Sequence, residues 1–487
     1  MKVSHYIKIL FMILAIVALS FLIPIAVALY LKEYHLIPSF LIPMCVVCGI
    51  AAILFFKDFF TDQRKQLRLS TQGGIALVAI AWIGACLLGA VPFLISGVIP
   101  EFADALFESV SGFTTTGSTI LLDVDSCPMT MHIWRTQMHW LGGMGIVALT
   151  VALFPLLGVG GFHLIKSETT GPDKGKVTSK ITQTAKALWF IYLGLTLLQI
   201  ILLIIAGMSF LDSVCYSFAT LGTGGFSTKN ASLGAYNSPA ADIIITVFMF
   251  LAGVNFSLYF RLFTGHIGEV AKNSELRSYV WIVLISSLLI AFSIYPIYGM
   301  GNSLRHSFFQ VVSIITTTGF ATVNFDLWPE LAKSILFLLM FIGGCSGSTA
   351  GGIKVIRWVI LKKQAANEIK RLLYPHGVFS IQLNKRPGRK DVVYSVAGFI
   401  FLYFMLLLAT FLVASMDKAN TFTALTAALA LVGNIGPGFD LVGPAGNFAF
   451  FSAPAKIFFS FSMLAGRLEL YTMLLFFYPL VAKIKSL

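Results

Sequence analysis

Apolar runs long enough to cross a bilayer dominate this chain, and short polar-glycine stretches interrupt them at intervals. The first two runs, Ile7 to Leu31 and Ile37 to Phe56, predict a helical hairpin, and a basic turn with Lys57, Arg64, Lys65 and Arg68 follows it. One plan is then read four times: a spanning helix, a short helix, a polar-glycine strand and a second spanning helix. In the first unit the spans run from Gly73 to Ser96 and from Ile133 to Leu157, with Phe102 to Thr114 between them. At 1.5 Å per residue that middle piece reaches only about 20 Å, short of the roughly 30 Å hydrocarbon core, so it must dip in and stop. The same plan fits 184 to 207, 210 to 222 and 240 to 264, then 279 to 299, 303 to 316 and 331 to 361, and finally 392 to 415, 419 to 432 and 453 to 482.

The short strands are variants of one another. Ser111 to Thr119 reads SGFTTTGST, Ala219 to Ser227 reads ATLGTGGFS, Ser313 to Phe320 reads SIITTTGF, and Ala430 to Gly438 reads ALVGNIGPG. Irregular backbone at membrane depth is tolerated only where it is buried in protein or lines a water-filled cavity, so four such segments imply one shared cavity. The expected organisation is an N-terminal hairpin (1–69) followed by four pore repeats (70–180, 181–276, 277–390 and 391–487), a duplicated module in an all-α membrane protein of about ten spanning and four re-entrant helices.

Composition agrees: 57% of residues are hydrophobic and only 11% charged, against about 25% in soluble domains. The net charge of +13 would suit nucleic acid, but its placement does not. With the N-terminus in the cytoplasm, 26 of the 34 lysines and arginines fall in inner loops, the positive-inside asymmetry of a membrane protein. By the same assignment 12 of the 21 acidic residues, Glu101, Asp104, Glu108 and Asp440 among them, fall outside, on the face towards which all four strands open. The pair Cys45 and Cys48 lies in an apolar run without partners for a metal or redox motif and is read as packing. His132 and His139, seven apart on one helix face, are read as structural.

A dehydrated monovalent cation needs several oxygen atoms, and backbone carbonyls supply them without a fixed charge that would trap it. Glycine permits the backbone conformations that turn successive carbonyls to one axis. Threonine hydroxyls add further oxygens, and the C-terminal end of a half-helix favours a cation. The motifs Thr115-Thr116-Gly117, Thr223-Gly224-Gly225, Thr317-Thr318-Gly319 and Asn434-Ile435-Gly436 resemble the four selectivity filters of the Trk/Ktr/HKT superfamily of cation transporters. The stretch Gly343-Gly344-Cys345-Ser346-Gly347-Ser348-Thr349-Ala350-Gly351-Gly352 resembles its intramembrane gating loop. The N-terminal hairpin points to the bacterial TrkH/TrkG branch.

That resemblance implies a K⁺-uptake protein of a bacterial inner membrane, with glycine at all four filter positions favouring potassium and with Asn434 and Pro437 making the pore only pseudo-fourfold. It implies a gate built from residues 343–352 together with Arg467, which the sequence places mid-span beside Glu469. It also implies a homodimer surrounded by membrane lipids and a cytoplasmic TrkA-type regulatory ring. NAD(H), ATP or ADP would bind that ring, leaving this chain without a cofactor, a transition metal or a nucleic-acid partner. The rival readings are a K⁺ symporter coupled to H⁺ or Na⁺, an Na⁺-permeable relative, and an intramembrane enzyme. The first and third of these, which need a proton relay and a catalytic pair, require ionisable groups at depth, where the sequence offers only Arg467 and Glu469.

Overall fold

The computed structural model describes residues 3–60, 71–145, 181–377, 379–383, 386–387, 390–417, 419–468 and 470–473. Helices account for almost all of its regular structure, with one two-residue antiparallel ladder pairing Gln382–Leu383 with Arg386–Pro387. Among the described residues six helices are long and apolar enough to cross a membrane, or seven if one bent pair counts as a span. Their outer faces carry large bare hydrophobic side chains, such as Phe292 at 82% and Phe190 at 72% exposure, which suits lipid and not water.

The N-terminal run is two helices, Val3–Leu19 and Leu22–Tyr30, followed by Ile37–Phe60. The break has a local cause. Pro24 has no N–H to donate back to the Ser20 carbonyl, and Gln137 Nε2 donates to that oxygen at 2.8 Å. Trp134 then fills the hairpin, with its ring 4.7 Å from Phe21 and 6.2 Å from Phe40. The hairpin is thereby fixed to the first repeat.

Each repeat opens with an outer helix: Thr71–Ser96, Ile181–Ile205, the first part of Ser274–Ile315, and Lys390–Ser415. The third of these leaves helical geometry at Gly299 (φ 71°), where the chain turns into its half-helix. The half-helices are Phe102–Phe113, Phe210–Gly222, the segment ending at Ile315, and Thr421–Val432. Buried small residues let them pack closely: a Cβ on Gly112 would lie 2.7 Å from the Met138 methyl.

Among the inner helices, the second departs from the expected uninterrupted span and the third shows the expected break. The first, Met129–Gly143, runs towards residues outside the described set, where the rest of the 133 to 157 span lies. The second is broken into Pro239–Ala252 and Phe256–Phe263 with a 93° bend, not one helix from 240 to 264. The third stops at Leu339 and resumes at Val355. The fourth, Ala453–Arg467, ends at Arg467 before a turn at Leu468, helix resumes over 470–473, and Glu469 and residues 474–487 of the expected 453 to 482 span lie outside the described residues. Cys45 is exposed on the outer surface and Cys48 half-buried, so packing does not account for Cys45.

Candidate ion-conducting site

All four half-helices end in the same way. The amide of the residue after the turn bonds five residues back, Thr116 to Ser111, Gly224 to Ala219, Thr318 to Ser313 and Ile435 to Ala430, at 2.8–2.9 Å. The preceding amide bonds three back, Thr115 to Gly112, Thr223 to Thr220, Thr317 to Ile314 and Asn434 to Leu431. This is the Schellman closure, whose pivot adopts the left-handed conformation and is ordinarily glycine. Here the pivots are Thr115 (φ 53°), Thr223 (φ 57°), Thr317 (φ 55°) and Asn434 (φ 53°). For a β-branched threonine that conformation is an outlier, and strain of about 1–3 kcal/mol persists at such a residue only where the surroundings impose it. Glycine would relieve it but would bring no side-chain oxygen.

Two residues on, Gly117, Gly225, Gly319 and Gly436 have φ of 83°, 79°, 85° and 101°. Left-handed residues at every second position undo the alternation of an extended strand and turn successive carbonyls to one side. The glycines also close a ring. A Cβ on Gly117 would overlap the Gly224 carbonyl oxygen, one on Gly225 the Thr318 oxygen, one on Gly319 the Ile435 oxygen, and one on Gly436 would sit 2.7 Å from the Thr116 oxygen. Each repeat thus abuts the next in order, and the fourth returns to the first. Ser118 Oγ donates to the Gly436 carbonyl at 2.9 Å, and Asn434 Nδ2 donates to Thr116 Oγ1 at 2.9 Å, across the same seam. Buried Thr115 Oγ1 and Asn434 Oδ1 have no protein partner among the described residues.

Sequence and structure now bear on family together. The family model described as TrkH, cation transport protein, matches residues 44–483. The chain belongs to the TrkH family. It is 38% identical to the Trk system potassium uptake protein TrkH of Salmonella typhimurium over 89% of this chain and 90% of that one. It is 34% identical to TrkG of Escherichia coli K12 over 94% of each. The crystal structure of the potassium transporter TrkH from Vibrio parahaemolyticus superimposes with a TM-score of 0.85 at 34% identity, covering 97% of this chain and 98% of that one.

The ring of this TrkH-family protein is framed by polar side chains of the half-helices and of the strands that return from the ring. Thirteen residues before each ring glycine (104 to 117, 212 to 225, 306 to 319, 423 to 436) stands a polar side chain near the start of the half-helix. In three repeats it ties the half-helix to the strand returning from the ring. Thr228 Oγ1 donates to Asp212 at 2.7 Å, His306 Nδ1 and Thr322 Oγ1 share a bond of 2.8 Å, and Thr423 Oγ1 donates to Asp440 at 2.7 Å. In the first repeat Asp104 instead takes Lys456 of the fourth repeat at 2.6 Å. Glu108 does the tying there, accepting from Thr119 Oγ1 and from the Ile120 amide at 3.0 Å each.

Glu108 also pairs with Arg135 at 2.8 Å, and both are at most 1% exposed. Arg135 donates further to the Ser227 carbonyl and to Thr119 Oγ1 at 3.2 Å, and its guanidinium lies 4.1 Å from the Phe226 ring centre. One buried ion pair therefore braces the returning strands of repeats 1 and 2. His139 braces the same seam: Nδ1 donates to the Gly112 carbonyl at 2.8 Å, and Nε2 accepts from the Phe226 amide at 3.2 Å. Those two partners fix the tautomer. The reading that Arg467 and Glu469 alone are ionisable at depth is thus corrected, because Glu108, Arg135, Glu275, Lys354 and Arg357 are all buried.

Beneath the ring lies the glycine-rich loop. It closes on itself through Gly343 N to Ile353 O at 2.9 Å and Val355 N to Gly344 O at 3.1 Å. It passes the break in the second repeat, where Cys345 N donates to Gly253 O and Phe256 N to Gly347 O. Gly347 (φ 72°) and Gly352 (φ 66°) take conformations open to glycine. Gly351 N donates to Thr317 Oγ1 at 2.7 Å, so the loop touches the ring itself. Arg467 donates to Thr349 O at 2.6 Å and to the carbonyls of Gly142 and Gly143 at 2.8 and 3.1 Å, joining the loop to the first and fourth inner helices.

Proposed function

We propose that this chain takes up K⁺ through the ring formed by residues 115–117, 223–225, 317–319 and 434–436, with the 343–352 loop and Arg467 as the gate on its inner side. The observation that carries this reading is the repeated strain. Threonine occupies a left-handed pivot three times over, where glycine would fit without cost, and that is explicable if the hydroxyl and the aligned carbonyls serve as ion ligands. The names of the Salmonella and Escherichia relatives, both potassium uptake proteins, support the choice of ion.

The same reading extends to the assembly. Charge asymmetry favours a cytoplasmic N-terminus in a bacterial inner membrane, with the outer mouth of the ring collecting cations. The chain acts as a homodimer with a cytoplasmic TrkA-type ring, and the words "Trk system" in its relatives' names agree with several components. NAD(H), ATP or ADP would act on that ring. The chain itself is a transporter and not an enzyme.

Uptake of ⁸⁶Rb⁺ into proteoliposomes holding the purified chain tests this, with K⁺ or Na⁺ as competitor. K⁺ is expected to compete better than Na⁺ in the wild type, and Gly117→Ser to lose that preference, since its side chain must displace the Gly224 carbonyl. Retention of full preference in Gly117→Ser would overturn the assignment of the ring.

A further inference from the structure

One side chain from outside the 343–352 loop grips both of its ends. Glu275, in the first turn of the outer helix of the third repeat, is 5% exposed. Its Oε1 accepts from the Ser346 amide at 2.6 Å and from the Ile356 amide at 3.1 Å, and its Oε2 accepts from Ser346 Oγ at 3.0 Å. Ser346 lies in the first half of the loop. Ile356 lies in the first turn of the helix that follows, Val355–Leu373. A single carboxylate therefore holds the start of the loop and its exit at one point.

The chemistry suits the place. Ile356 N is among the first amides of a helix, which have no acceptor within it, and a negative charge is favoured at that end. Lys354, buried at 4% exposure, acts electrostatically on the carboxylate and donates through Nζ to the Ala350 carbonyl inside the loop. The carboxylate is itself anchored, because Asn273 Oδ1 caps the same helix turn through the Leu276 amide at 2.9 Å. Amide and hydroxyl donors that meet a carboxylate make bonds roughly twice as strong as neutral ones. These bonds fix the loop from the side, where the bonds of Arg467 and Thr317 reach it from the ring.

We infer that Glu275 is a positioning residue that latches the loop in the folded form seen here, and that release of its carboxylate is a step in opening. This rests on the loop being the gate. The test uses the full chain in a background where Cys45, Cys48, Cys86, Cys127 and Cys215 are replaced by alanine. Cys345 then reports on the loop, since it is 1% exposed beside Ser346. Labelling of Cys345 by a small methanethiosulfonate reagent and basal ⁸⁶Rb⁺ uptake are compared for wild type, Glu275→Gln, Ser346→Ala and a variant lacking residues 346–349.

Glu275→Gln is expected to label about tenfold faster and to raise basal uptake, the change that follows loss of one charge-assisted hydrogen bond. Ser346→Ala, which loses only the hydroxyl bond, is expected to shift both less, and the ion preference is expected to stay unchanged in both variants. Unchanged labelling and uptake in Glu275→Gln, with higher uptake in the shortened variant, would overturn the latch and leave the gate standing. Faster labelling without higher uptake in any variant would support the latch and overturn the gate. Should Glu275→Gln fail to elute as a monodisperse species, Glu275→Asp takes its place, with unchanged labelling again overturning the latch.

Discussion

The outer and inner sides of the glycine ring hold the same four repeats together by different chemistry. On the outer side a side chain supplies at least one partner of each tie, and two of the ties are ion pairs, fully buried between Glu108 and Arg135 and partly buried between Asp104 and Lys456. On the inner side most ties end on backbone: Arg467 on the carbonyls of Thr349, Gly142 and Gly143, Cys345 N on Gly253 O, and Thr349 Oγ1 on Ala252 O. A buried pair that loses one partner leaves an uncompensated charge, so the outer frame is kept whole or lost. A neutral hydrogen bond is worth only about 1 kcal/mol net when water can replace it. The charged ties of the loop, from Arg467 and Glu275, end on neutral partners and are each worth about 1.5–3 kcal/mol, the same order as the roughly 1–3 kcal/mol of an ordinary regulatory coupling. Under the proposed function, the difference separates a part whose geometry must not vary from a part that must move.

Removing the central charge of the frame is the strongest way to break this contrast. Arg135→Leu keeps much of the bulk but strands Glu108 at 0% exposure and frees the Ser227 carbonyl and Thr119 hydroxyl. A loss of about 3–5 kcal/mol is expected, the usual result of halving a buried pair. It would be read as a fall in thermal midpoint in detergent and as failure of K⁺ to compete better than Na⁺. The double variant Glu108→Gln with Arg135→Leu should recover part of that stability. An Arg135→Leu protein that melts with the wild type would show that the frame is dispensable.

The pivots sharpen the contrast within the ring. Among the described residues Thr115 Oγ1 has no protein partner, whereas Thr317 Oγ1 accepts from Gly351 of the loop. Thr115→Gly relieves left-handed strain of about 1–2 kcal/mol and gives back part of it through the greater freedom of unfolded glycine. A net gain of about 1 kcal/mol in stability is expected, with weaker discrimination between K⁺ and Na⁺. Thr317→Gly relieves the same strain but leaves the buried Gly351 amide without its acceptor, so no net gain is expected. Equal thermal shifts in the two variants would mean that the bond between ring and loop contributes nothing.

Much of this was legible in the chain because periodicity and repetition are local. Four apolar runs ending in a polar pair and glycine fixed the half-helices to within a residue or two, as at Phe102–Phe113 and Phe210–Gly222. The glycine-rich interruption at 343–352 was equally plain. The 93° bend after Ala252 was not, because Gly253 and Asn255 look unremarkable beside an apolar run. The bend is explained only by the loop of the next repeat, whose Cys345 and Gly347 bond to that turn. Glu108, Arg135 and Lys456 were read only as charges on the outer side, because their partners are 27 and 352 residues away in sequence. Pairing at such separations leaves no mark on spacing.

The weakest tie of the outer frame allows the finest test. Asp440 reverses the pattern of the other repeats by placing the acid on the returning strand, and hydrogen bonds from Thr423 and Asn420 hold its carboxyl below the ordinary carboxylate range. A lowered value means that the bonded form adds stability above about pH 4, and that this is lost as pH falls through the lowered value. Asp440 is exposed and outside the spanning segments, so the effect is small. Asp440→Asn suits the test, since asparagine tolerates the φ of 60° found there and keeps one acceptor for Thr423. The variant is expected to melt slightly below wild type at pH 7, with the gap narrowing as pH falls below about 4 and the wild-type carboxyl takes up its proton. A gap of constant size across that range would assign the tie to shape and not to charge, and the outer frame would then owe its stiffness to the ion pairs Glu108–Arg135 and Asp104–Lys456.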